Sequence, residues 1–477
     1  MILTIDIGTT NCKAALFSED GAMIHYDTTA LDERFFFFDG TCIDPKAFSI
    51  ALRHLFVNMP KTDDLEAIIV TGSGPSLVPV LAPAVYEDGL LYAPAALARL
   101  YFDRRAVEES REVSAAIGRF VDASFFVPKA LYLARHEKAL YDKAICFLSS
   151  YDYVNYLLTN ELTAIMHAPE AYTWYYDDSL LDTLSLDREK FAPLIFPGAF
   201  IGNVSSLASK AFSIPPKAKV IAGGPDFVVS ILGCSVVRPG MVCDRSGTSE
   251  GINVCSRVDV TDSRLMSFRH PIDPYYNISG MISTSGKAIT WARNLLNLDS
   301  LSYEQMFQKI ETVPPGANSL LFLPYLAGER APIWDPNAKG VFSGLNLGTT
   351  DSYLFRAVVE GVSFAIRDVI ETIEDVGQEV TTLRTVGGSS SIPILQQIKA
   401  DITQREVAVP SVSEAEMVGA MVLAQYAVGR FSSLTQSCES LISFDTFYYP
   451  DTNKKALYDD LFGRYRSLYK ALKGQWS

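Results

Sequence analysis

The N-terminus opens with an apolar, β-rich stretch, Ile2-Leu3-Thr4-Ile5, which runs into Asp6-Ile7-Gly8-Thr9-Thr10, and Lys13-Ala14-Ala15-Leu16-Phe17 then resumes the apolar character. Strand, Gly/Thr tip and returning strand predict a hairpin. Glu66 to Thr71 reads as a buried strand, followed by the loop Gly72-Ser73-Gly74-Pro75. Residues 103–118 and 129–143 carry apolar positions at helical spacing. Lys219 to Ala222 predicts a short strand into Gly223-Gly224, and Asp226 opens an apolar helical stretch from Phe227 to Gly233. The second half starts again in the same way: Met241 to Cys243 leads in, Gly247-Thr248-Ser249 turns, and Ile252-Asn253-Val254-Cys255 returns. Further on, Thr381 to Val386 is a strand, and Pro393 suits the first position of a helix. Ser413-Glu414-Ala415-Glu416 reads as a capping box for an apolar helix, Met417 to Val428, that stops at Gly429. The run Phe35 to Phe38 is assigned to the core or a domain contact. Strands alternating with helices argue for α/β layers.

The repeated Gly-Thr hairpin suggests one fold used twice, with a boundary near residue 240 at Arg238-Pro239-Gly240. That gives domains 1–240 and 241–477, and a chain of 477 residues is too long for one core. The net charge of -14 argues against nucleic acid or an anionic membrane as partner. The 7 cysteines are scattered with no Cys-x-x-Cys, which fits reduced thiols in a cytoplasm. The N-terminus runs straight into a strand, without the basic stretch of a signal peptide. No apolar run approaches the length of about 18 residues that a membrane span needs, and Pro79 and Pro83 interrupt the best candidate.

Candidate chemistry sits at the turns. The tip Gly8-Thr9-Thr10 presents backbone N–H groups and hydroxyls to an anion. Asp6 at its base suits Mg²⁺, which prefers few carboxylates plus substrate phosphates, and Lys13 is placed to return to those phosphates. An ordinary hairpin turn reads equally well. Asp226 suits the base that an alcohol nucleophile needs in phosphoryl transfer, and the glycines before it would admit a ligand to the backbone. Asp as a plain helix N-cap is the competing reading. Gly247 to Gly251 satisfies G-x-S-x-G, but a hydrolase elbow needs strand, turn and helix, and here a strand follows. Gly280 to Lys287 nearly fits a Walker A loop. It is one residue too long and has Ala288 where Ser or Thr belongs, so a P-loop is rejected, although Gly286 still suits a nucleotide cleft. Gly387-Gly388-Ser389, between a strand and a helix, suits a nucleotide contact or a connecting turn. The five histidines show no ligand spacing.

The order of these motifs resembles the FGGY carbohydrate kinase family, in the actin- and hexokinase-like superfamily. The most specific stretch is Phe322-Leu323-Pro324-Tyr325-Leu326-Ala327-Gly328-Glu329-Arg330-Ala331-Pro332-Ile333-Trp334-Asp335-Pro336, continuing through Gly340, Gly344-Leu345 and Glu360-Gly361. Phe125-Phe126-Val127-Pro128-Lys129-Ala130-Leu131 with Asp152-Tyr153 is similar to the family's middle segment. The resemblance implies an α/β protein of two actin-like (ribonuclease H-like) domains flanking an ATP/sugar cleft. Domain 1–240 would bind sugar and catalyse, and domain 241–477 would bind nucleotide. By position, Asp6 would interact with Mg²⁺. Gly8, Thr9, Thr10, Lys13, Gly247, Thr248 and Ser249 would meet the ATP phosphates. Gly286, Gly387, Gly388 and Ser389 would line the nucleotide. Asp226 would take the proton from the sugar hydroxyl.

The sugar loop departs from the family. Gly72-Ser73-Gly74-Pro75-Ser76 lacks the Gln, Met and His of the xylulose kinase subgroup, Phe227 replaces a polar residue, and Ser389-Ser390 replace Gly-Ala. Ser73, Asp103 and Arg104 are the remaining substrate candidates, and an ordinary surface ion pair of Asp103 with Arg104 reads equally well. The reading is an ATP-dependent kinase acting on a ketose, polyol or sugar acid, with a homodimer as the common assembly among relatives. Its alternatives are a catalytically weak sugar-sensing relative and, less well supported, a chaperone-like ATPase.

Overall fold

The computed structural model describes residues 1–61, 63–168 and 175–476. The chain forms two compact units, one of Met1–Gly233 with Glu416–Leu441, the other of Cys234–Ala415 with Ile442–Ser477.

The principal elements are numbered in chain order. In the first unit the strands are β1 (Ile2–Ile7), β2 (Asn11–Phe17), β3 (Met23–Ala30), β4 (Ala67–Gly72), β5 (Phe200–Asn203) and β6 (Lys219–Pro225). They form one six-stranded sheet in the order β5-β6-β4-β1-β2-β3. The β1–β2–β3 meander is antiparallel, while β1, β4 and β6 run parallel. β1 and β4 are buried along their whole length. Sheets covered on both faces read as continuous apolar runs, which is why these segments show no alternation. The helices are α1 (Lys46–Asn58), α2 (Val107–Ile117), α3 (Phe126–His136), α4 (Ser150–Thr159) and α5 (Asp226–Gly233). α1 lies against β2 and β3, and α4 against β4 and β6.

In the second unit β7 (Met241–Ser246), β8 (Glu250–Ser256), β9 (Met266–Arg269), β10 (Tyr276–Ile282), β11 (Thr382–Val386), β12 (Glu406–Pro410) and β13 (Phe444–Tyr448) form a seven-stranded sheet. Its order is β9-β10-β8-β7-β11-β12-β13. Again a hairpin, β7–β8, is followed by parallel pairing of β7 with β11 and of β11 with β12. The two sheets therefore repeat one topology, hairpin first, then parallel strands. The helices used below are α6 (Gly286–Leu295), α7 (Asp351–Asp375), α8 (Pro393–Thr403), α9 (Ala415–Ala427) and α10 (Lys455–Leu472). Each unit has its own hydrophobic core.

Three expectations change. The division is not a single cut near residue 240, because most of α9 belongs to the first unit. Gly419 makes this packing feasible: a Cβ there would lie 1.7 Å from the Val229 carbonyl oxygen of α5. Gln425 also donates to the Ser18 and Glu19 carbonyls, and Arg430 pairs with Glu19 and Glu66. The helix expected over 129–143 breaks at Glu137, whose carboxylate pairs with buried Arg99, leaving α3 and a short helix Lys138–Lys143. Phe37 and Phe38 are exposed rather than core, and Arg105 lies 5.0 Å from the Phe38 ring centroid.

Candidate active site

In the first unit the site residues are assembled by strand register. Asp6 of β1 lies beside Thr71 of β4, which lies beside Gly224 of β6; one step on, Ile7, Gly72 and Pro225 align. The Gly8-Thr9-Thr10 tip, Ser73 and Asp226 therefore all leave the carboxyl ends of three neighbouring parallel strands. Open α/β sheets bind their ligands at that edge. The Gly8 N–H donates to the Asn11 carbonyl at 3.1 Å and closes the tip, and the Ser73 N–H donates to the Ile7 carbonyl at 3.0 Å. The Thr71 hydroxyl donates to the Gly224 carbonyl at 2.7 Å and ties β4 to the turn before Asp226. Asp226 is half-buried in the first turn of α5, and Asp6 is buried. The double glycine has a structural cause. A Cβ on Gly223 would stand 2.3 Å from the Val70 carbonyl oxygen, and Gly224 has φ of +94°. Both serve the β-bulge between Ala222 and Gly224.

Around Asp226 lie groups that spacing did not single out. The Tyr151 and Tyr175 hydroxyls are hydrogen-bonded at 2.5 Å, and Gly74 lies against the Tyr151 ring. Burial, with lesser contributions from the Asp152 and Asp226 charges, raises the Tyr151 phenol well above its ordinary value. The His167 ring packs 5.5 Å from Phe227 and 6.3 Å from Tyr175, and burial lowers its pKa to about 4, so it is neutral at pH 7. Lys129, fully buried, donates to the Pro75 carbonyl at 3.0 Å and the Leu100 carbonyl at 2.6 Å. It thus joins the Gly72–Ser76 loop to the segment that leads into Asp103. Asp103 is buried and bound by Arg105 at 2.6 Å and Arg99 at 3.8 Å. Arg104 is exposed, 3.5 Å from Asp122. The ion pair of this segment is therefore Asp103–Arg105, and Arg104 stands outside it.

In the second unit three loops converge. The Gly247 N–H donates to the Ser249 carbonyl at 3.0 Å. The Ser285 and Lys287 N–H groups donate to the Thr248 carbonyl, each at 3.2 Å, and the Gly286 N–H donates to the Gly247 carbonyl at 3.0 Å. The start of α6 is thereby tied to the β7–β8 hairpin. A Cβ on Gly286 would lie 2.5 Å from the Gly247 oxygen. Gly387, with φ of +92°, brings the turn after β11 so close that a Cβ would lie 2.2 Å from the Ser246 oxygen. The Ser246 and Ser389 hydroxyls bond to each other. Gly388 faces open space. The G-x-S-x-G match lies on the β7–β8 hairpin, which agrees with rejecting a hydrolase elbow, while the Walker-like match runs from the end of β10 through a short turn into α6, and its rejection rests on the spacing and on Ala288.

The stretch from Phe322 to Pro336 underpins these loops. Glu329 accepts from the Ser283 N–H at 2.6 Å and the Arg330 N–H at 2.8 Å, and the Thr284 hydroxyl donates to the Pro324 carbonyl. Burial pushes the Glu329 carboxyl up to about 7. Among the described residues no group of three or more His, Cys, Asp or Glu side chains is placed to hold a metal ion, and no helix is long and apolar enough to cross a membrane.

Residues 245–428 match the C-terminal domain of the FGGY family of carbohydrate kinases. The chain is 28% identical over 395 residues to a xylulose kinase of Staphylococcus epidermidis, covering 80% of this chain and 79% of that protein. The chain is homologous to the FGGY carbohydrate kinases. This kinase homologue is also 24% identical to a gluconokinase of Bacillus subtilis, over 100% of this chain and 97% of that one. Its fold is that of solved kinases of two actin-like units. The crystal structure of a gluconate kinase from Lactobacillus acidophilus superposes with a TM-score of 0.85 at 22% identity, covering 100% and 99% of the two chains.

Proposed function

We propose that this protein transfers the terminal phosphoryl group of ATP to a hydroxyl of a ketose, polyol or sugar acid. The observation that carries the reading is the register of the first unit, which delivers Asp6, the Gly-Thr tip, Ser73 and Asp226 to one edge of one sheet. Asp226 accepts the hydroxyl proton as the oxygen attacks the γ-phosphorus, the bond to the β-phosphate oxygen breaks, and ADP leaves. Gly8, Thr9, Thr10, Lys13, Gly247, Thr248 and Ser249 meet phosphates, and Gly286, Gly387, Gly388 and Ser389 meet the nucleotide. One buried carboxylate at the base of a Gly-Thr tip fits Mg²⁺, which takes few protein ligands beside phosphates and water. Asp6 would hold the ion, which neutralises phosphate charge when bound. Ser73 contacts the sugar, while Asp103 acts at one remove by fixing Arg105. Xylulose and gluconate are the first substrates to test, since relatives carry those names, and a terminal primary hydroxyl is the proposed acceptor. A cytoplasmic setting, matched by seven buried thiols, and a homodimer complete the reading.

The test is ADP release from Mg-ATP against pentuloses, alditols and aldonates, beside Asp226→Asn. Strong turnover with one class, lost in the variant, supports the proposal. No turnover above the variant's background with any of them defeats it.

A further inference from the structure

Beneath the three glycine loops of the second unit lies a charged cluster that sequence reading passed over. Lys399 of α8 sends its ammonium between the carboxylates of Asp244 on β7 and Glu250 on β8. The Glu250 contact is 2.8 Å, and all three side chains are 0 to 1% exposed. The Thr385 hydroxyl of β11 donates to Asp244 at 2.8 Å, and the Ser285 hydroxyl donates to Glu250. Asp244 and Glu250 flank Gly247-Thr248-Ser249, Ser285 immediately precedes Gly286, and Thr385 stands two residues before Gly387. One lysine thus connects the bases of all three loops. A buried charged trio is a poor device for stability alone, since well-packed apolar residues of the same size often do better. Its directional bonds instead specify spacing, because each carboxylate oxygen must meet a donor at a set distance.

We propose that Lys399 is a positioning residue for ATP: through Asp244, Glu250 and Ser285 it holds the Gly247, Gly286 and Gly387 loops at the separation the nucleotide requires. The proposal rests on the kinase reading above. The cluster sets nucleotide affinity without touching nucleotide, and sugar affinity does not depend on it. Burial and the neighbouring Glu250 charge raise the Asp244 carboxyl, and the Lys399 ammonium opposes them.

The experiment compares wild type, Lys399→Met, Lys399→Arg and the triple variant Asp244→Asn/Glu250→Gln/Lys399→Met. It measures the Kd for ATP by calorimetry, KM for ATP and for sugar, and thermal midpoint. Lys399→Met is expected to raise the Kd and KM for ATP about tenfold or more while the sugar KM stays within about twofold, and Lys399→Arg is expected to recover part of the loss. The triple variant leaves no unpaired buried charge, so it tests the idea even where Lys399→Met fails to fold. It too should bind ATP weakly at a near-normal thermal midpoint. Normal ATP affinity in the folded triple variant, or equal losses for ATP and sugar, overturns the positioning role while leaving the kinase reading intact. Wild type that binds no ATP overturns the kinase reading itself.

Discussion

Asp226 is the proposed general base. Positioned general bases contribute about 10²- to 10⁴-fold. Asp226→Asn should therefore lower kcat by that order with little change in the KM for ATP, and circular dichroism should show an intact fold. Asp152 behaves differently. Its carboxylate accepts from the Ser149 hydroxyl at 2.6 Å and the Ile165 N–H at 3.2 Å, yet burial raises it from 3.8 to about 7. A carboxyl raised on folding contributes stability that is complete below its unfolded value and is lost as pH rises toward the folded one. Here that window runs from about pH 4 to 7, at up to about 1.4 kcal/mol per pH unit. Asp152→Asn keeps an acceptor for Ile165 and should flatten the fall. Urea unfolding of both proteins across that range checks it, and parallel profiles would exclude the carboxyl as the cause. At this scale the sequence marked Asp6 and Asp226 through their neighbouring glycines. It gave no role to Lys129, quoted only within Phe125–Leu131, and did not mark Lys399, because a buried lysine carries no local signature.

Loops and strands set the next scale. Gly387 combines a positive φ with the closest backbone approach among the Gly247, Gly286 and Gly387 loops. Gly387→Ala should cost more than about 1 kcal/mol and weaken ATP binding, since the Ser246–Ser389 hydroxyl bond must shift. Gly388→Ala meets nothing within 4 Å and should leave the thermal midpoint near that of wild type. Equal midpoints for the two variants would refute the close-approach argument. Hairpins and buried strands were legible because their signals are short-range: an apolar run, a Gly-Thr tip, an apolar return. The break at Glu137 was not, because it depends on Arg99, a partner outside the helix. Nor was the pairing of Asp103 with Arg105 over Arg104, which depends on which side of the segment faces the interior.

Over the whole molecule, ligand binding is the most economical readout. A ligand at 100 times its Kd stabilises the state that binds it by about 2.7 kcal/mol. A thermal-shift panel with Mg-ADP and single sugars should pick out the substrate class, and no shift with any nucleotide would count against the nucleotide assignment. Gly419→Leu should destabilise the first unit severely, because no side chain fits 1.7 Å from the Val229 oxygen. Limited proteolysis would show this as cleavage within that unit. By itself the sequence determined the α/β class, the twice-used hairpin and the glycine turns, since each follows from residue periodicity and backbone conformation over a few positions. Tertiary structure decided that most of α9 joins the first unit, that Asp6, Ser73 and Asp226 share one sheet edge, and that Lys399 lies between Asp244 and Glu250, 155 and 149 residues away in sequence. The physical reason is range: a charge buried by folding finds its partner across chain segments whose separation no local pattern records.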